Sequence, residues 1–376
     1  MKIDEYLHDF KKTHSLSSDN ESSIDLLLHI LNSTPRITEL DNIKVDLVII
    51  KSWDIFPESV KLNNGEFSII WDTQFWEIFQ KFLYIPFLCE QENFDLQEIA
   101  FQGFFAYMYR LLSEKYTNDK KVVHILNEKS DSLFLYYEKR KREFNKLSTD
   151  KIDFVNNIFI FTKAYVLCHE IFHIYMKLKD VSGFELIKTL FDVVNQENQI
   201  LKDDANYYYK DSIKKTLDML NTINYDYNKS KEIQELIVDL YGILDAIDLM
   251  DSFFVHQFKS DHMNYIYSAL LISYTVFYLF VTSFIQCFNH IDNSIASLIL
   301  HDNSPKKKYA FETVDIGTYD LAFRVNLMFK SVIRVYDETF GRGNTDNMLS
   351  LMKEMFNLNT IEIISTRLRS FYSHPS

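Results

Sequence analysis

The sequence predicts an α-rich α+β fold, with a small N-terminal sheet or hairpin and a large helical bundle. Three observations carry that expectation. Gly and Pro number only 7 and 5 in 376 residues, too few turn-makers for an all-β architecture. The one clear β signal lies between residues 43 and 72. From about residue 96 onward the apolar residues recur with helical period.

In chain order, residues 1–40 are polar and helix-like, broken by the Ser/Asn-rich stretch Ser15–Ser23. IKVDLVIIK (43–51) and EFSIIWD (66–72) read as strands, and the Asn64-Gly65 step between them is a hairpin turn signal. Asp72-Thr73 supplies capping residues for a helix through FWEIFQKFL. Helices are then expected near 96–116, 120–144, 149–179, 184–198, 204–222, 229–255, 262–290, 318–338 and 345–370. Breaks fall at Asn118-Asp119, Ser182-Gly183, Asp226–Ser230 and Asn303–Lys308. The organisation expected is an N-terminal helical segment with a small sheet (1–145) and a helical core (146–376), packed as one globular unit.

Composition narrows the function. Apolar residues make up 47% and aromatics 15%, which suits a large core and argues against disorder. A net charge of −13 disfavours nucleic acid, whose phosphates call for a basic surface. The Lys306–Lys308 run reads as a solvated loop. Cys89, Cys168 and Cys287 match no C-x-x-C pattern, and Cys168 reads as core. The N-terminus, MKIDEYLHDFKK, has no apolar stretch and reads as no secretory signal. A reducing, cytoplasmic location is therefore expected. Tyr265–Phe288 carries no charge over 24 residues, long enough for a bilayer. Its Ser, Thr and Gln residues and the lack of a flanking basic cluster favour a helix buried in protein. A membrane-associated protein is the alternative.

The chemistry sits in YVLCHEIFHIYM (165–176), which contains H-E-x-x-H as His169, Glu170 and His173. Residues four apart share a helix face, so both imidazoles can reach one ion. Glu170 lies one step round, where its carboxylate can take a proton from a water held there. A chance match is expected on the order of 0.02 times in a chain of this composition, because three fixed residues are required. The bland alternative, two histidines on an amphipathic helix, leaves polar groups in an apolar stretch without a purpose. STDKID (148–153) supplies helix-start residues upstream.

A catalytic metal needs a third protein ligand. The metzincin extension requires Gly at 176 and His at 179, where this chain has Met176 and Lys179, so that class is excluded. In KEIQELIVDLYGILDAI, Glu235 and Asp239 are four apart and face one way. Glu235 can bind metal while Asp239 accepts the N–H of a ligand histidine, and Gly242 permits close helix approach. The alternative is a solvated acidic face, since Glu232, Asp245, Asp248 and Asp251 share the helix.

H-E-x-x-H followed by E-x-x-x-D resembles the gluzincin metallopeptidases. The resemblance covers two short helices. It implies a zincin-like core with a small sheet beside the active-site helix, one Zn2+ per chain, and Glu170 as general base. It also implies His169, His173 and Glu235 as ligands, with Asp239 orienting a histidine. The C-terminal YSHPS echoes a His-Pro element of some gluzincins, making His374 a candidate oxyanion or substrate contact, the alternative being a loose tail. Size, cytoplasmic character and the central motif also resemble the phage-exclusion (Lit-type) peptidases, which cleave a translation factor during infection. The function expected is zinc-dependent hydrolysis of a protein or peptide substrate, held along a strand edge. The alternatives are a membrane-bound metallopeptidase, or a non-catalytic zinc-binding interaction or toxin-type protein.

Overall fold

The structure, a computed structural model, describes residues 32, 34–38, 44–50, 57–62, 65–88, 94–116, 119–179, 185–203, 214, 231–254, 262–299 and 321–356. The fold is α-rich α+β, with one small sheet near the N-terminus. A short helix α1 (Pro35–Thr38) precedes strands β1 (Val45–Ile50), β2 (Glu58–Lys61) and β3 (Phe67–Asp72). The helices that follow are α2 (Thr73–Leu88), α3 (Phe94–Lys115), α4 (Lys120–Arg140), α5 (Thr149–Leu178) and α6 (Glu185–Asp203). The last are α7 (Lys231–Phe254), α8 (His262–Ile299), α9 (Leu321–Phe340) and α10 (Arg342–Met355). The helix expected at 204–222, residue 214 apart, and the far end of that expected at 345–370 lie outside the described residues, as do Lys306–Lys308 and Cys89.

The sheet differs from expectation in its wiring. Its strand order is β1-β3-β2, with β1 parallel and β2 antiparallel to β3. The hairpin therefore joins β2 to β3, and residues 45–50 pair with 67–72 in parallel and not across that turn. Gly65 takes φ +86° in its turn, a conformation glycine adopts without a Cβ clash. The Leu62 N–H donates to the Glu66 carbonyl at 2.8 Å just before the turn. ESVK is short and three of its four residues are polar, so its sequence gives little strand signal. β3 is buried along its whole length and paired on both sides, which leaves β1 and β2 as the edges among the described residues. Strand β3 runs straight into α2 at Asp72/Thr73, and the Thr73 hydroxyl donates to the Ile50 carbonyl at 3.1 Å.

Helix starts follow the expected chemistry. Asp119 Oδ1 accepts from the N–H groups of Lys121 and Val122 at 3.1 and 3.2 Å, and Ser148 Oγ accepts from Lys151 N at 3.3 Å. Both satisfy backbone donors that the first helical turn leaves without a partner.

Two compact units can be distinguished, and both draw on sequence from either side of residue 145. In one, residues 74–159, 276–312 and 353 onward, the aromatic rings form the core. Phe79 of α2 lies 5.9 and 5.1 Å, centroid to centroid, from Phe277 and Phe280 of α8, and Phe82 lies 5.5 Å from Phe104 of α3. The other unit holds the sheet, residues 160–178 of α5, α6, α7, residues 262–275 of α8, and α9. Here Ile266 to Thr275 of α8 is buried without interruption, as expected of a core helix. Among the described residues, two helical stretches are long and apolar enough to cross a membrane, Thr149–Leu178 and His262–Ile285, and 83% of the most apolar part of each is buried within the protein.

Lys163, on α5, is buried, and desolvation lowers its pKa to about 8. Below pH 8 it is charged both folded and unfolded, and the folded state carries the burial penalty. Between about pH 8 and 10.5 the unfolded chain holds the proton more tightly, so stability rises with pH. Urea unfolding is therefore expected to show stability rising between about pH 8 and 10.5, and Lys163→Met should flatten that rise; a rise unchanged in the variant would show that another group is its source.

Candidate metal centre

Helix α5 presents His169, Glu170 and His173 within one turn. Helix α7 can approach it because residue 242 is glycine. A Cβ there would lie 3.0 Å from the His169 Cα and 3.1 Å from its backbone nitrogen. This contact brings Asp239, one turn back along α7, and Glu235, a further turn back, up to the two histidines.

The side chains converge tightly. His169 Nε2 and His173 Nε2 are 3.2 Å apart. Glu235 approaches both, with Oε1 3.4 Å from His173 Nε2 and Oε2 3.7 Å from His169 Nε2. Glu170 Oε1 stands 3.9 Å from His169 Nε2. Ligand atoms of His169, Glu170 and His173 all lie within 4.8 Å of one another, so this group can hold a metal ion. Of the two carboxylates, Glu235 is nearer the histidine nitrogens and bridges the pair, while Glu170 stands to one side.

Asp239 anchors the arrangement and is fully buried. Its Oδ1 lies 3.1 Å from His169 Nδ1, although the ring N–H is not aligned on that oxygen. Oδ1 accepts from the Tyr165 hydroxyl at 2.8 Å and Oδ2 from the Tyr274 hydroxyl at 2.9 Å. Arg324 of α9 donates through Nε to Oδ2 and through a terminal nitrogen to Glu235 Oε2 at 3.4 Å. Burial alone would raise the Asp239 pKa. The Arg324 charge and the contacts with His169 and Arg324 outweigh it and hold the carboxyl well below the usual carboxylate range.

The other groups are pushed apart in protonation. Burial works against a charge on His169, but Asp239, Glu170 and Glu235 together raise its pKa. Burial, the neighbouring His169 and Lys177 drive His173 well below the ordinary histidine value, keeping its ring neutral. Burial lifts Glu170 to about 7, with His169 opposing and Glu235 assisting, while the hydroxyl and backbone N–H of Ser59 favour its ionised form. Ser59 lies on the edge strand β2, and Lys177 Nζ donates to its carbonyl at 3.4 Å. An N–H and a carbonyl engaged on one side are the outward-facing pair of an antiparallel strand. At this residue the outer edge of β2 is thus turned to α5.

The expected residues separate cleanly. His169, Glu170, His173, Glu235 and Asp239 come together. Asp245 instead pairs with Arg36 at 3.3 Å and Asp251 with His262 at 2.8 Å; Asp248 is exposed. His374 and the side chain of Glu232 lie outside the described residues. Cys168 is buried on α5, as expected. The sequence reading missed Tyr165, Tyr274, Arg324 and Ser59. Tyr165 stands one turn before His169, and Arg324 is a lone charge in the apolar run LAFRVNLMF, so both left a trace; Tyr274 and Ser59 left none.

Gly242→Ala is expected to force α7 away from α5, because the added methyl meets backbone that cannot swing aside. Overpacking of this kind costs about 1–3 kcal/mol and should weaken metal binding as well. Thermal unfolding and metal titration both read it, and wild-type behaviour in both would contradict the close contact. No protein-family model, curated protein or solved structure matches this chain.

Proposed function

We propose that the protein is a zinc-dependent metallopeptidase of gluzincin type, which hydrolyses a peptide bond in an intracellular protein substrate. The observation that carries this reading is the convergence of His169, His173 and Glu235 at 3.2, 3.4 and 3.7 Å. Ligand nitrogens about 2.0–2.1 Å from a tetrahedral zinc are separated by roughly 3.3 Å. The donor set, two imidazoles and a carboxylate, fits zinc, and three protein ligands of this kind would leave room at the ion for water or substrate. A second support is Asp239, which faces the far nitrogen of His169 as carboxylates do behind ligand histidines. Zinc bound there supplies a Lewis acid that acidifies water and polarises a carbonyl.

Each residue then has a task. His169 and His173 offer nitrogen lone pairs, and Glu235 adds negative charge between them. Asp239 fixes the His169 ring and keeps a proton on Nδ1, which leaves Nε2 free to bind metal. Arg324 restrains both Asp239 and Glu235. Glu170 takes a proton from the attacking water and returns it to the departing amine. A carboxyl group lifted to about 7 is suited to both transfers near neutral pH. Ser59 donates to that carboxylate and orients it.

The burial of the two long apolar helices within the protein supports the reading that they do not span a bilayer. Metal content and hydrolysis of a panel of unfolded proteins, measured together before and after chelation, test the reading. The expected result is about one zinc per chain and hydrolysis that chelation abolishes and zinc restores. Hydrolysis indifferent to chelation would overturn the metallopeptidase, and zinc without hydrolysis would favour a non-catalytic site. Retention in membranes after a carbonate wash would favour the membrane-associated form.

A further inference from the structure

The far side of the helix pair that carries the metal cluster is strapped by the segment that precedes the sheet. Thr34 is fully buried, and its side chain hydrogen-bonds the Cys168 thiol on α5. Two residues on, the Arg36 guanidinium carbon lies 5.5, 5.1 and 5.3 Å from the ring centroids of Phe172, Tyr175 and Tyr241. Arg36 Nε also donates to Asp245 at 3.3 Å. Phe172 and Tyr175 belong to α5, Tyr241 and Asp245 to α7. The arginine therefore fills a cage built from both helices. Across the seam Phe172 and Tyr241 stack face to face, 4.4 Å apart and 5° from parallel.

The cage and the metal cluster share the same turns of helix. Cys168, Phe172 and Tyr175 follow one another at a spacing of four and three, a single face of α5, and each of the first two directly precedes a ligand histidine. On α7, Tyr241 and Asp245 flank Gly242, the residue against the His169 backbone. A planar guanidinium stacks on ring faces while its nitrogens bond a carboxylate, which neither lysine nor an apolar side chain reproduces. Arg36 is only 19% exposed at its side chain, and Asp245 9%, so the pair is largely desolvated and its removal leaves a charge and a hole in the seam. A zinc site tolerates ligand displacements of only about 0.2 Å, so the seam that sets helix spacing also sets ligand geometry.

We propose that Arg36 is a positioning residue for the metal centre: by filling the aromatic cage across the α5–α7 seam, it holds Glu235 and Asp239 at their working distance from His169 and His173. This inference rests on the reading of that cluster as a zinc site. The test is a zinc titration of the full chain against a competing chromophoric chelator, for wild type, Arg36→Ala and Arg36→Lys. Arg36→Ala is expected to weaken zinc about 10–100-fold, the range typical of residues that orient ligands. Methylguanidinium, which fits the emptied cage, should restore most of that affinity; methylammonium at equal concentration and ionic strength should not. Arg36→Lys keeps the charge but cannot stack in the same way, and should remain several-fold weaker than wild type.

Zinc affinity within twofold of wild type in Arg36→Ala would overturn the proposal, as would a weakened affinity that both cations restore equally or neither restores. If the alanine variant does not fold, Arg36→Lys decides the matter, and wild-type zinc affinity there would overturn it. A wild-type chain that binds no zinc would remove the metal reading itself, an outcome distinct from failure of the variants alone.

Discussion

Asp239→Asn is expected to lower stability by about 3 kcal/mol, because it strips the charge from a buried pair and leaves the Arg324 guanidinium with its longer contact to Glu235 in place of a full ion pair. Asparagine has nearly the same shape, so packing is preserved and the loss reports charge. The carboxylate it replaces is fully buried and meets two tyrosine hydroxyls, an arginine and a histidine. Zinc binding should weaken about 10–100-fold in parallel, as the residue that holds the His169 ring is altered. Urea unfolding and zinc competition read the two effects separately. The double variant Asp239→Asn/Arg324→Met should recover much of the stability and little of the zinc affinity. The pH dependence has a definite sign. The folded carboxyl sits well below the ordinary carboxylate range, so its contribution is complete above about pH 4 and fades as pH falls further. A loss under 1 kcal/mol would mean that water reaches the pair.

Glu170→Gln should retain zinc and fold while losing hydrolysis by about 10²–10⁴-fold, the usual contribution of a positioned general base. Glutamine can still accept from Ser59 but cannot take a proton. Because Glu170 stands farther from the histidine nitrogens than Glu235 does, its loss should leave metal affinity nearly unchanged. The rate constant for turnover is the quantity to follow, with bound zinc measured on the same sample. Turnover near the wild-type value would remove Glu170 from the base role, and loss of zinc would make it a ligand.

How far the sequence foretold these features depends on how local each signal is. His169, Glu170 and His173 were legible because a single helix sets their geometry, and helical spacing is a property of the chain alone. Glu235 and Asp239 were legible through the same four-residue spacing, helped by Gly242, whose missing side chain marks a close approach. The choice among the acids of α7 needed tertiary contacts: Asp245 and Asp251 carry similar local signals but face Arg36 and His262 instead. Arg324 and Tyr274 come from later helices, and no spacing rule links them to His169. Strand β2 escaped notice because four residues with a single apolar one among them carry almost no alternation, and with it went Ser59 and the correct hairpin. The buried character of α8 was readable, since polar interruptions within an uncharged run suit a protein interior better than lipid.

Elemental analysis of the purified full chain, wild type beside His173→Ala, tests the central claim most directly. The account predicts about one zinc per wild-type chain and its loss in the variant, since a site with three protein ligands holds zinc poorly on two. Parallel samples should show zinc released in Glu235→Ala and retained in Asp248→Ala, an exposed residue more than three turns further along α7. Equal zinc in wild type and His173→Ala, or none in either, would contradict it.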